Sequence, residues 1–250
     1  MSVRQLSSMT WEEVRDLDRA TAVVVLPIGA IEAHGPHLPL STDVIIGEAM
    51  ARSGGERLSE NGYEVVVAPP LQYTPAGFAS SFQGTVSIGA ATLQALLRDI
   101  ATSLAEHGFT TLAIANAHLD PAHLSAIDAF AADTSLPLTV VFPNLVRRRS
   151  AARLTDEFQT GACHAGQFET SIVQAERADL VREDVRRDLA ANPVSLSEAI
   201  ANGATRFEEI GGNRAYFGFP AQASATEGHG SVETLGAILA DAVMESFDGA

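Results

Sequence analysis

Twelve residues, Glu32-Ala33-His34-Gly35-Pro36-His37-Leu38-Pro39-Leu40-Ser41-Thr42-Asp43, follow an apolar run at 21–26 and carry four side chains able to bind a cation. Carboxylate oxygen and imidazole nitrogen together suit a hard or borderline divalent ion. Glu32 and His34 are two residues apart, so in a chain that stays extended beyond a strand both side chains project to one side. Asp43 stands where the next helix is expected to begin, a position at which aspartate commonly caps the helix. Capping accounts for Asp43 but leaves Glu32 and His34 unexplained, whereas a carboxylate with two oxygens can also bridge two cations. His37, beside Leu38 and Pro39, reads as a supporting or structural histidine rather than a ligand.

Two more clusters repeat these residue types. Asn116-Ala117-His118-Leu119-Asp120-Pro121 again sets an imidazole and a carboxylate two apart. Asp120 before Pro121 is also a helix-start signature, which explains Asp120 but not His118. Cys163-His164-Ala165-Gly166-Gln167-Phe168-Glu169 brings His164 and Glu169 within reach if a helix begins near Gly166. A histidine held by a carboxylate is an acid/base pair suited to neutral pH. Cys163 reads as a buried structural thiol, and His107 and His123 as surface histidines near helix ends. Gly77 and the turn around Gly84 and Thr85 are expected to line a crevice, because glycine permits close backbone approach to a ligand. Gly218 to Gly228 reads as a loop before the last helix.

The elements that must position these clusters alternate along the chain. Strands are expected at 21–26, 64–68, 110–115 and 138–142, and helices at 43–57, around 93–107, at 120–132 and at 233–244. The third of these strands precedes the His118 cluster. Leu93, Leu96, Leu97, Ile100 and Leu104 share one helical face, and Gly108 supplies its stop. Strands apolar on both faces and alternating with helices imply an α/β fold, one domain over residues 1–250 with a central, mostly parallel sheet flanked by helices. In that architecture the crevice lies at the carboxyl ends of the strands, where the Glu32–Asp43 and Asn116–Asp120 clusters both fall.

Composition narrows the partners. Against 31 acidic residues stand 16 basic ones, all arginine, for a net charge of −15. Nucleic acid is excluded as a partner, since phosphate binding needs clustered positive charge. Arg147-Arg148-Arg149 reads as a solvated or ion-pairing face. A single cysteine rules out an internal disulfide and fits a reducing, cytoplasmic setting. Residues 1–6 lack the continuous apolar stretch of a leader, and no run approaches the ~20 apolar residues that span a bilayer, so no membrane partner is expected.

Taken in order, the stretches Leu26-Pro27-Ile28-Gly29-Ala30-Ile31-Glu32-Ala33-His34-Gly35-Pro36-His37-Leu38-Pro39 with Asp43, then Gly84-Thr85, Asn116-Ala117-His118, and His164-Ala165-Gly166 with Glu169-Thr170-Ser171 resemble the creatininase family of metal-dependent amidohydrolases. The resemblance implies an α/β fold, a small-molecule amide substrate and a homo-oligomer, often a hexamer. It also implies two divalent ions, zinc and/or manganese, with iron a third option. Glu32, Asp43 and His118 would hold one ion, and His34, Asp120 and the bridging Asp43 the other. His164 and Glu169 would transfer protons and orient substrate, with Gly84, Thr85 and Leu119 against the substrate. The implied chemistry is attack on an amide, lactam or formamide C–N bond by a metal-bridged hydroxide. Two alternatives stand beside it: a peptidase trimming a short precursor, as in maturation of the redox cofactor mycofactocin, and a catalytically silent metal-binding scaffold. Creatinine hydrolases carry tryptophans ahead of the His-Gly motif and a glutamate where this chain has Asp120. Here the lone Trp11 lies far from that motif, so creatinine itself is not the expected substrate.

Overall fold

Valine and isoleucine pack well on a pleated surface, and the run Ala22–Ile28 forms the strand on which the molecule is centred. The computed structural model describes residues 3–248; Met1 and Ser2, part of the stretch read for a leader, lie outside it with the last two residues. The strands are β1 (Arg4–Gln5), β2 (Ala22–Ile28), β3 (Glu64–Val67), β4 (Thr111–Asn116) and β5 (Thr139–Val141). The helices are α1 (Trp11–Arg15), α2 (Thr42–Glu60), α3 (Ala90–Glu106), α4 (Pro121–Ala131), α5 (Arg148–Ala151), α6 (Asp156–Thr160), α7 (Gln167–Arg177), α8 (Glu183–Arg187), α9 (Leu196–Ala201) and α10 (Ala225–Asp248), with short 3-10 turns between some of them.

The five strands form one sheet in the order β1-β3-β2-β4-β5, and every pairing is parallel. Alternation along β2 gives each face its own core. Val23 and Val25 pack with Ala49, Met50 and Leu58 of α2 and with Leu235 and Leu239 of α10. Val24, Leu26 and Ile28 pack with Leu93 and Leu97 of α3 and with Ile127 and Phe130 of α4. The chain leaves β2 through α2 to β3 on one side, then returns through α3 to β4 on the other. Connections therefore diverge between the carboxyl ends of β2 and β4, which opens a crevice there. Among the described residues no helix is long and apolar enough to cross a membrane.

The last helix begins at Ala225, eight residues before the expected position. Gly228 and Gly230 lower the local helix propensity, but Gly228 lies where a side chain would collide with the Ser171 carbonyl of α7. Close contact with α7, invisible in the sequence, supports this first turn. The two-residue strand β1 was likewise not anticipated; it pairs with β3.

Candidate metal centre

Asp43 reaches the residues after β2 because α2 starts almost in contact with the backbone that leaves the strand. A Cβ at Gly29 would lie 2.5 Å from the Val44 nitrogen. The intervening loop is held by the Glu32 N–H donating to the Leu40 carbonyl and by the Gly35 N–H donating to that of Ala215. The Thr85 hydroxyl accepts from the Ala33 N–H at 3.1 Å. Gly84, at φ +92°, packs against Leu40. Gly84 and Thr85 thus brace the loop from outside. Leu119 does line it.

Glu32, His34, Asp43, His118, His164 and Glu169 are all buried and fall into three overlapping groups able to hold a cation: Glu32/Asp43/His118, His34/Asp43/Glu169 and Glu32/His34/His164. The two oxygens of Asp43 face different imidazoles, Oδ1 lying 3.1 Å from His34 Nε2 and Oδ2 3.0 Å from His118 Nδ1. Glu32 Oε1 lies 3.1 Å from His118 Nδ1, and Glu169 Oε2 lies 3.6 Å from His34 Nε2.

Each imidazole is oriented by a backbone carbonyl. His34 Nδ1 bonds the Glu32 carbonyl at 3.1 Å, His118 Nε2 that of Pro75 at 2.7 Å, and His164 Nε2 that of Ala33 at 2.9 Å. A carbonyl only accepts, so each of these nitrogens donates its proton there, and the opposite nitrogen, which faces the carboxylates, is the one that can bind a cation once its own proton is lost. Asp43 Oδ2 is buried and receives no hydrogen bond. Imidazoles oriented by carbonyls, three carboxylates and an unsatisfied Asp43 oxygen beside His118 have the chemistry of a divalent-cation site.

Electrostatics follow from the crowding of carboxylates. Burial opposes ionisation of Asp43, yet the flanking His34 and His118 hold its carboxyl well below the usual range. Burial lifts Glu169 to about 8, outweighing the pull of His34. Burial works against charge on His34, but Asp43, Glu169 and Glu32 together raise it to about 10. His118 is raised in the same way by Glu32 and Asp43. His164 goes the other way, held neutral by burial and by the charge of His34.

Asp120 lies outside all three groups. Its Oδ1 accepts from the Ala122 and His123 amides, capping α4, and its Oδ2 accepts from the Gly77 and Phe78 amides at 2.8 and 3.3 Å. The four amides orient this short side chain, and Glu169, in the first turn of α7, occupies the place beside His34. Its Oε2 accepts from the Ala165 N–H at 2.6 Å, while the hydrogen bond of the His164 ring runs to the Ala33 carbonyl. His37 is buried with Nε2 2.9 Å from the Thr170 hydroxyl. His123 is fully buried rather than at the surface, and its Nε2 bonds Asn116 Oδ1 at 2.7 Å. Asn116 in turn donates to the His118 carbonyl. That chain of contacts supports His118 from behind. Cys163 is buried and unpaired.

A cavity of about 270 Å³ opens onto the carboxylates, walled by Val146, Phe158, Leu196, Ile200 and Phe207 besides Leu119. Apolar residues scattered over irregular segments carry no periodic signal, and sequence reasoning missed this wall.

The family model for creatininase, described as creatinine amidohydrolase, matches residues 7–243. A mycofactocin precursor peptide peptidase of Mycolicibacterium smegmatis is 31% identical over 219 residues, covering 86% of this chain and 81% of that protein. Among solved structures, a manganese creatininase superposes with TM-score 0.73 at 26% identity, covering 99% of both chains. A mutant creatininase of Zn–Zn type gives 0.72 at 25% identity, covering 97% of this chain and 98% of that one.

Proposed function

The chain belongs to the creatininase family, and from that premise we propose a metal-dependent hydrolase that opens the amide, lactam or formamide C–N bond of a small substrate. The observation that carries the reading is Asp43, whose two oxygens face two separate donor sets across a buried site. Glu32, Asp43 and His118 would hold one divalent ion, and His34, Asp43 and Glu169 the second. When bound, such a pair acidifies a water molecule and polarises a carbonyl oxygen. Zinc and manganese both suit this mixed oxygen and nitrogen set.

The chain's own residues supply the rest. His164 lines the cavity with its Nε2 proton committed to the Ala33 carbonyl, which leaves Nδ1 as the ring's acceptor. In hydrolysis that nitrogen takes the proton lost by the attacking water and returns it to the departing nitrogen as the C–N bond breaks. The His34 and Phe207 rings, each with its centroid 4.4 Å from that of His164, fix the plane of the imidazole. Asp120 ties the Gly77–Phe78 backbone to the start of α4 and so keeps Phe78 and Leu119 at the cavity wall.

Trimming of a short peptide is a second reading, favoured by the extent of the similarity to the mycofactocin precursor peptidase. A reducing cytoplasmic setting and a homo-oligomer complete the proposal, the former supported by the unpaired Cys163. The test is a panel of lactams, formamides, ureas and short peptides assayed with added manganese or zinc, alongside metal analysis of protein purified without chelator. About two ions per chain and turnover of one class are expected. No bound metal, together with no turnover, would overturn the reading.

A further inference from the structure

The cavity wall carries its own selectivity. Among the described lining residues there is no arginine, and the chain has no lysine. The four carboxylates of the lining are all engaged. Glu32, Asp43 and Glu169 face the imidazoles, and both oxygens of Asp120 accept backbone amides. Of the polar side chains, Gln159 donates to the Leu154 carbonyl and Ser197 pairs with Ser195. His118 and His164 lie on the carboxylate side, and the opposite side is apolar, with Phe78, Val146, Phe158, Leu196, Ile200 and Phe207. Val146 is 49% exposed, which is unusual company for a site otherwise built from buried charge.

From this distribution we propose that the site selects a neutral amide whose non-reacting end is apolar and branched or aromatic, and rejects one that carries a carboxylate there. The inference rests on the hydrolase reading for what happens at the C–N bond, but the selectivity belongs to the wall itself. An apolar end displaces water from Leu196, Ile200 and Phe207, which favours binding. A carboxylate in the same place, on the side away from the metal-ligating residues, loses its hydration and meets no arginine or lysine. The volume, about 270 Å³, lies just below the usual range for ligand sites, so the selected end is small. α9, which supplies Leu196 and Ile200, is the specificity element.

A matched pair of amides reads the selectivity directly: 4-methylpentanamide and succinamate differ by an isopropyl group exchanged for a carboxylate. Binding of each to the manganese- or zinc-loaded protein is measured by ligand-observed NMR, and release of ammonia is followed in parallel. Preference for 4-methylpentanamide by roughly tenfold or more is expected, from the cost of burying an unpaired charge. Ile200→Arg, which puts a cation on the wall, should narrow that preference by about fivefold, the scale of an accessible ion pair. If Ile200→Arg fails to fold, as judged by circular dichroism, the wild-type ratio decides alone. Selective binding without any hydrolysis would support the wall assignment while counting against the hydrolase reading. Succinamate bound as tightly as 4-methylpentanamide, or more tightly, would overturn the inference whether or not either amide is cleaved.

Discussion

Asp43 and Glu169 make the sharpest demands at the scale of single residues. If Glu169 completes the set around His34 and Asp43, Glu169→Gln should leave about one ion per chain. Activity should then fall by more than the roughly 10–100-fold that substitutions outside the ligand sphere cause. Asp120→Ala should instead keep both ions and lose about 1–2 kcal/mol of stability, because it removes a helix cap and the acceptor of two further amides. Metal analysis and denaturant unfolding of the two variants separate the roles; one ion in Asp120→Ala would restore the arrangement expected by resemblance. Proton linkage gives a second check. Carboxylates raise His34 to about 10 and lift His118 as well, and burial brings Glu169 to about 8. At pH 7 the free site therefore holds protons that coordination must displace, so metal binding should release protons and weaken as pH falls. Calorimetric zinc titrations in buffers of different ionisation enthalpy measure this; zero net release would contradict it. That Glu169 and not Asp120 stands beside His34 was not legible because each residue had a sufficient local explanation. A carboxylate before Pro121 looks like a cap and is one, while nothing in the spacing of His164 and Glu169 shows that the first turn of α7 faces His34.

Among the elements, the crossing of α2 and α10 sets how closely the helices on one face of the sheet can pack. A Cβ at Gly236 would lie 2.2 Å from Ser53 Oγ and 2.8 Å from the Gly54 nitrogen. Gly→Ala ordinarily stabilises a helix interior by about 1 kcal/mol. At Gly236 the sign should reverse, with overpacking costing about 1–3 kcal/mol. Gly230 on the same helix has nothing within 4 Å of its would-be Cβ, so Gly230→Ala should show the ordinary gain. Chemical denaturation of both variants decides; a stabilised Gly236→Ala would mean that the helices part without cost. The same crossing explains what could be read in advance. The runs that became β2 and β4 are apolar on both faces and were plain as strands, and Leu93, Leu97 and Leu104 announced α3 by their spacing. The start of α10 was hidden because Gly228 answers to Ser171 on another helix, and such a contact leaves no periodic trace.

At the scale of the whole molecule, sequence alternation implied a mostly parallel α/β sheet, but not the order β1-β3-β2-β4-β5 that opens the crevice between β2 and β4. Strand order depends on which helices share a face, a long-range choice that no single segment encodes. Net charge, in contrast, is a global property read directly, and −15 has a physical consequence. Uncompensated carboxylates repel one another in the compact state, and added salt screens that repulsion. Opposing this are surface pairs such as Arg147–Asp128 and Arg153–Asp241, at 3.0 and 2.7 Å, which salt weakens. Exposed pairs are worth about 0–1 kcal/mol each, too little to offset the repulsion of a chain with nearly twice as many acids as bases. Raising ionic strength from about 0.01 to 0.15 M shortens the screening length from about 30 to 8 Å. Tm should therefore rise across that range of sodium chloride, measured at fixed pH and with the metals kept saturating. A Tm that falls would assign the dominant surface term to the arginine pairs, and the acidity would then be locally compensated rather than a load carried by the whole fold.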